Sequence, residues 1–306
     1  MAIDSKDLFT VDKETQNFIN FYKTIGVEFI KFTDLLREMN ILPKTNIQLK
    51  PFLKWVGGKS DILNKMEKYF PSDNNITYIE PFLGGGSVLL NNLEKHYSNY
   101  IVSDINKNLI LTWNVVKNNV IKLIDELKKL EDKNNKEDYY LIRTKYNETT
   151  LNDIETAAYF IYLNKTCFRG IYRVNKNNEF NVPYGNYKNV DFNYNNLINV
   201  SKNIQNVSFI NDDYKNVINK YHSENSFVYL DPPYFKTFQD YDKNKFDDDE
   251  FFQFIKPLKN ILVSNSFSFL ELFEDKEKLK YEIIETKNKI NSKNPTEKRN
   301  EILMIL

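Results

Sequence analysis

The stretch Phe227-Val228-Tyr229-Leu230-Asp231-Pro232-Pro233-Tyr234 constrains the fold of this 306-residue chain more than any other. Four β-favouring apolar residues run, without polar alternation, into an acid, two prolines and a tyrosine. A strand apolar on both faces belongs in a parallel sheet covered by helices, which makes this an α/β chain. In such sheets ligands sit just beyond the carboxyl ends of the strands, where Asp231 and its loop fall. Pro232 and Pro233 fix φ and carry no N–H, so the loop offers rigid carbonyl acceptors. The Asp231 carboxylate and the Pro232 carbonyl can accept the two N–H hydrogens of an exocyclic amine while the Tyr234 ring stacks on a planar base. An ordinary proline turn accounts for the same residues, so the rest of the chain has to decide.

Thr77-Tyr78-Ile79-Glu80-Pro81-Phe82 followed by Leu83-Gly84-Gly85-Gly86-Ser87 predicts a strand, a glycine turn and a helix start. Glycines at such a turn let a ligand approach the backbone at a helix amino end. Tyr100–Ser103 predicts a second strand, ending in Asp104 at the spacing where an acid meets ribose hydroxyls. Turn and acid together point to an adenosine-containing cofactor. Val207–Ile210 predicts a third strand, ending in Asn211-Asp212-Asp213. Upstream, Pro51–Ser60 ends in Gly-Lys-Ser, but Leu53 stands where a phosphate loop needs glycine. Trp55 and Lys59 fit a pocket wall instead: the indole covering an apolar or aromatic ligand, the ammonium holding a carboxylate. A core tryptophan and a solvated lysine fit the same residues.

Lys165, Arg169, Arg173, Lys176 and Lys188 lie among aromatic residues on two extended segments, Leu163–Asn175 and Glu179–Lys188, which predict a β-hairpin about an Asn-rich turn. Basic groups on phosphates and an aromatic wedge in the gap of an extruded base suit duplex DNA; a basic surface hairpin is the plainer reading. Overall charge does not decide, because Lys+Arg and Asp+Glu both number 42. Amphipathic helices are predicted over Leu109–Lys117, Ile121–Leu130, Tyr139–Tyr146 and Ile154–Leu163, and shorter ones over Ile62–Phe70, Phe251–Ile255 and Phe267–Phe273. Tyr281–Glu285 and Glu301–Leu306 predict a closing antiparallel pair, and Gln239–Phe246 a mobile lid. Phe18, Tyr22, Ile25, Phe29, Phe32, Leu36 and Met39 form a helical stripe, read either as a helix packed on its own domain or as a dimerisation helix. One cysteine and two histidines argue against a disulfide and a zinc site, so no metal is expected. No apolar run approaches membrane length, and the amino end lacks a secretory core, so a cytoplasmic place is expected.

Four motifs in register carry a resemblance: Phe52-Leu53-Lys54-Trp55-x-Gly57-Gly58-Lys59, Glu80-Pro81-Phe82-x-Gly84-x-Gly86-Ser87, Phe180-Asn181-Val182-Pro183-x-Gly185 and Asp231-Pro232-Pro233-Tyr234. Over roughly residues 51–306 the chain resembles the Dam-type (D12 class, alpha group) DNA N6-adenine methyltransferases. That resemblance implies a Rossmann-like class I methyltransferase fold, a mostly parallel sheet with an antiparallel closing strand and an inserted helical and hairpin recognition domain. Its implied division is an extension over 1–50, a cofactor part over 51–114, target recognition over 115–200 and a catalytic part over 201–306. It implies S-adenosylmethionine held by Trp55, Lys59, Glu80, Gly84, Gly86, Asp104, Asp212 and Asp231, with Asp231, Pro232 and Tyr234 catalytic. It implies duplex DNA touched by Lys54, Phe168, Arg169, Arg173, Tyr187 and Lys188, with a short adenine-containing palindrome, GATC-like or CATG-like, as target. Arg169 departs from the Asn that many members carry after the wedge aromatic. A cognate restriction endonuclease, a dimer through residues 1–50 and a nucleoid or viral setting are further expectations. A cytosine-N4 or RNA-adenine methyltransferase and a catalytically silent DNA-binding regulator are the competing readings; Asp231, where glutamine-modifying enzymes carry Asn, argues against that class.

Overall fold

Apolar strands buried on both faces leave the chain one economical arrangement, helices on each side of a single sheet. The computed structural model describes residues 49–235, 246–287 and 298–306. Its seven strands are β1 (Thr77–Glu80), β2 (Asn99–Asp104), β3 (Val207–Asn211), β4 (Ser226–Leu230), β5 (Ile261–Ser266), β6 (Lys280–Lys287) and β7 (Lys298–Ile305). They lie in the order β3-β2-β1-β4-β5-β7-β6. β1 to β5 are mutually parallel, and β7 enters antiparallel between β5 and β6. Every residue of β4 is buried. Successive side chains of a strand alternate faces, and here Phe227 and Tyr229 enter one core cluster while Val228 and Leu230 enter the other. After β1 the sheet grows outward through β2 and β3, then the chain returns to lay β4 on β1's other side. That reversal leaves a crevice-forming switch point between the carboxyl ends of β1 and β4.

The helices are α1 (Leu63–Met66), α2 (Ser87–Asn92), α3 (Lys107–Lys128), α4 (Lys136–Glu148), α5 (Asp153–Thr166), α6 (Tyr194–Asn203), α7 (Tyr214–Tyr221) and α8 (Asp248–Ile255). The two helices expected over Leu109–Lys117 and Ile121–Leu130 are the two halves of α3, which breaks between them at Asn119 (φ −140°, ψ 31°). Others depart from expectation. α5, opened by a capping box of Asn152 and Glu155, continues through Thr166, so Leu163–Thr166 is helix rather than strand. The expected hairpin narrows to isolated bridges, Val174 with Phe180 and Cys167 with Tyr184. Asn175 Oδ1 closes the turn by accepting the N–H groups of Asn177 and Glu179, and the Asn175 and Asn181 N–H groups donate to the Glu179 and Arg173 carbonyls at 2.8 and 3.1 Å. α8 begins at Asp248 because Asp247 caps the Glu250 N–H. The helix expected over Phe267–Phe273 is a 3-10 turn over Phe267–Leu272, and that over Ile62–Phe70 divides into α1 and a 3-10 turn.

The helical stripe from Phe18 to Met39, with its dimerisation reading, lies outside the described residues, as does the expected lid except for Phe246. The Phe246 ring meets Phe82 edge-on at 6.0 Å. Among the described residues no helix is long and apolar enough to cross a membrane.

Candidate active site

The turn after β1 is built for close approach. Gly84 (φ +49°) and Gly86 (φ +71°) take left-handed backbone conformations that other L-residues resist. Indole rings leave no room for side chains there: a Cβ on Gly84 would lie 2.6 Å from Trp55 Cδ1, and one on Gly86 2.4 Å from Trp113 Cζ2. The Gly84 N–H donates to Asp104 Oδ2 at 3.0 Å, tying the turn to the end of β2. Trp55 stacks on Tyr172 (5.7 Å, 21°), which joins this turn's wall to the hairpin segment.

Lys59 and Asp231 form the charged centre. Lys59 is 3% exposed and its Nζ lies 2.6 Å from Asp231 Oδ2. It also donates to the Gly57 carbonyl at 2.6 Å, and its backbone N–H to Ser87 Oγ at 3.1 Å. Burial pushes the Asp231 carboxyl up to about 6, with the Lys59 ammonium pulling it back. Glu80, at the end of β1, accepts the Tyr78 hydroxyl at 2.8 Å. Burial pushes it up to about 8; the Tyr78 hydroxyl and Lys59 oppose the rise, and Asp231 and Asp104 add to it. Burial likewise raises Asp104, against the N–H groups of Asn106, Gly84 and Ile105. The site therefore holds a Lys59–Asp231 ion pair beside a Glu80 carboxyl that keeps its proton to higher pH than an ordinary carboxyl. Trp55 lies on Gly84, Gly84 bonds Asp104, and Glu80 feels both Asp104 and Asp231, so these residues share one neighbourhood.

The loop after β4 is fastened to β5 and β7. The Tyr234 hydroxyl donates to Glu301 Oε2 at 2.8 Å and lies 3.2 Å from Ser264 Oγ. The Phe235 N–H donates to Asn265 Oδ1 at 2.9 Å, and Ser266 Oγ to the Phe235 carbonyl at 3.0 Å. Pro232 is buried and Pro233 exposed. Lys59 Nζ stands 5.1 Å from the Tyr234 ring centre, so ring and carboxylate flank one ammonium. Ser264, Asn265 and Glu301 escaped the sequence reading, since each meets the loop from a distant strand and no local motif marks it.

Beside this centre stands a basic surface. Asn164, also missed, receives the Lys54 N–H at 2.8 Å and donates to the carbonyls of Lys54 (2.7 Å) and Gly170 (3.2 Å). It thereby joins the Trp55 segment to the turn Phe168–Gly170. Phe168 is 45% exposed, with the Arg169 guanidinium 5.4 Å from its ring centre. Arg169 holds φ +58°, and its N–H donates to the Tyr187 hydroxyl at 2.8 Å. Lys54 Nζ lies over the Tyr187 ring at 4.2 Å. Lys54, Phe168, Arg169 and Tyr187 are thus neighbours, and Lys188 follows them on the exposed surface. Arg173 is turned within the hairpin segment, its Nε on Asn181 Oδ1 at 2.7 Å. Asp212, at the end of β3, accepts from Asn216 Nδ2 at 2.8 Å and from the Asp213 N–H at 2.7 Å, which hold its carboxyl below the usual range.

A strand-end carboxylate, a rigid diproline, a fastened aromatic ring and a glycine turn thus lie at one end of the sheet. Comparison of sequences relates the chain to known methyltransferases. Type II methyltransferase M.MjaIII of Methanocaldococcus jannaschii is 39% identical over 258 residues, covering 74% of this chain and 89% of the relative. Type II methyltransferase M.CviBI of Paramecium bursaria Chlorella virus NC1A is 33% identical over 234 residues, covering 74% of this chain and 87% of the relative. A DNA adenine methylase of Haemophilus influenzae is 35% identical over 203 residues, covering 65% of this chain and 69% of the relative. The family model of the D12 class N6 adenine-specific DNA methyltransferases matches residues 55–299, a span running from Trp55 past the Asp231 loop into β7, and the chain belongs to that family.

Proposed function

We propose that this chain transfers the methyl group of S-adenosylmethionine to N6 of an adenine turned out of duplex DNA, with Asp231, the Pro232 carbonyl and Tyr234 receiving the base. The half-buried Asp231 carboxylate, paired with Lys59 at 2.6 Å and sharing its neighbourhood with the glycine turn, is the observation that carries this reading.

The residues present fit the donor. A turn that carries no side chain over Gly84–Gly86 lets a ligand approach the backbone closely, Asp104 offers carboxylate oxygens beside it, and Lys59 offers a buried ammonium. Trp55, Lys59, Glu80, Gly84, Gly86, Asp104, Asp212 and Asp231 would hold it. When bound, its sulfonium supplies an electrophilic methyl group. The chain's own residues do the rest. Turning the base out costs a few kcal/mol of stacking and pairing, offset by contact with the Tyr234 ring. Asp231 and the Pro232 carbonyl accept the two N6 hydrogens and draw the nitrogen lone pair out of conjugation with the ring. The Asp231 carboxylate then stabilises the positive charge that develops on N6. Orientation supplies much of the acceleration.

Lys54, Phe168, Arg169, Arg173, Tyr187 and Lys188, within a recognition segment over 115–200, would engage the duplex. The target would be a short adenine-containing palindrome, GATC-like or CATG-like. Two relatives carry type II methyltransferase names, which supports a partnership with a restriction endonuclease of the same specificity in the cytoplasm. Transfer of a tritiated methyl group to plasmid DNA tests the reaction. Asp231→Ala lowers incorporation by about a hundredfold to a thousandfold, the scale of one lost transition-state hydrogen bond, while DNA affinity stays within about threefold. Wild-type turnover by Asp231→Ala would overturn this mechanism. Single-molecule sequencing of DNA from cells expressing the protein reads modified base and target together.

A further inference from the structure

Glu301 lies near the start of β7, opposite Ser266 of β5 and Ile284 of β6. Because β7 runs antiparallel to β5, its first residues return to the edge where β4 and β5 end. Both carboxylate oxygens are engaged there. Oε2 accepts the Tyr234 hydroxyl at 2.8 Å, and Oε1 accepts Thr286 Oγ1 at 2.9 Å. Thr286 belongs to β6, so the carboxylate is fixed from its own sheet and holds the loop residue with its other oxygen. Ser264 Oγ, 3.2 Å from the same phenol, comes from β5. A tyrosine ring that turns about its side-chain bonds must be oriented again each time a base arrives. One held at its hydroxyl by a charge-assisted bond is already set.

We propose that Glu301 is a positioning residue for the methyl transfer: its carboxylate holds the Tyr234 ring, through the phenol hydroxyl, in the plane that receives the target adenine. The inference rests on Tyr234 stacking on that base. Glu301 touches neither base nor donor, and acts through Tyr234.

Turnover on plasmid DNA and donor affinity by equilibrium dialysis test this in Tyr234→Ala, Tyr234→Phe, Glu301→Leu, Glu301→Gln and the double variant Tyr234→Phe/Glu301→Leu. Leucine suits a strand position of this size; glutamine keeps an oxygen that accepts the hydroxyl. Tyr234→Phe and Glu301→Leu each lower kcat about tenfold, the scale of one charge-assisted hydrogen bond, with donor affinity unchanged. The double variant falls no further, and Glu301→Gln stays within about threefold of wild type. A purely structural role for Glu301 would lower stability without this shared loss and without rescue by glutamine. Undiminished kcat in Tyr234→Phe overturns the proposal, as do losses that multiply in the double variant. Should Glu301→Leu fail to fold, Tyr234→Phe still decides. Wild-type turnover by Tyr234→Ala would sink the stacking reading itself, whereas loss in Tyr234→Ala with full activity in Tyr234→Phe and Glu301→Leu sinks only the role of Glu301.

Discussion

At the scale of single residues, burial sets which acids are charged. In the proposed reaction Asp231 must be ionised to accept N6 hydrogens; burial raises its carboxyl to about 6, and Lys59 opposes the rise. Lys59→Met removes that opposition, so the acid limb of the pH–rate profile moves to higher pH than in the wild type. A limb that stays put or moves to lower pH would show that Asp231 is not the group titrating. Glu80 gives a prediction free of catalysis. Its carboxyl is raised from 4.5 unfolded to about 8 folded. Between those values the folded state binds a proton that the unfolded state has lost, so this contribution to stability is full below about 4.5 and falls as pH rises to about 8. Thermal melting between pH 5 and 8 is therefore expected to decline less steeply in Glu80→Gln than in the wild type. These acids were legible because each ends an apolar run, at Glu80, Asp104 and Asp231. Glu301, Asn265 and Asn164 were not, since their bonds to Tyr234, Phe235 and Lys54 span 67, 30 and 110 residues.

At the scale of elements, short continuous apolar runs placed the strands, while local polar chemistry moved the helix ends and the hairpin. The two extended segments about the Asn-rich turn, expected as a hairpin, meet at isolated bridges, Val174 with Phe180 and Cys167 with Tyr184. The break at Asn119 was legible as a gap between two helical stretches, and α3 is interrupted there. The β1–α2 turn is where sequence and structure agree most closely, because only glycine meets both of its demands. Gly86→Ala forces a left-handed Cβ to within 2.4 Å of Trp113 Cζ2. Strain and overpacking at such a site cost about 1–3 kcal/mol each, so urea unfolding is expected to show a loss of at least that order. An unchanged midpoint would mean that Trp113 yields freely and that the turn is not held by its indole.

At the scale of the whole molecule, equal numbers of acidic and basic side chains, 42 of each, leave no net field to draw the chain to a polyanion. In the proposed complex, attraction to DNA comes from the local basic surface around Lys54, Arg169 and Lys188. Each phosphate neutralised releases condensed counterions and steepens the fall of affinity with salt. Lys188→Ala therefore reduces the slope of log affinity against log salt by about 0.9 if the ammonium sits on one phosphate. Lys129, paired with Glu126 at 2.6 Å on α3, is the control: its Ala variant leaves the slope unchanged. Fluorescence anisotropy on a labelled duplex, across a range of salt concentrations, measures both. Equal slopes for wild type and Lys188→Ala would remove Lys188 from the DNA-binding surface. Equal reductions in both variants would mean that the duplex is drawn by diffuse charge instead, and that the cluster beside Phe168 does not set the approach.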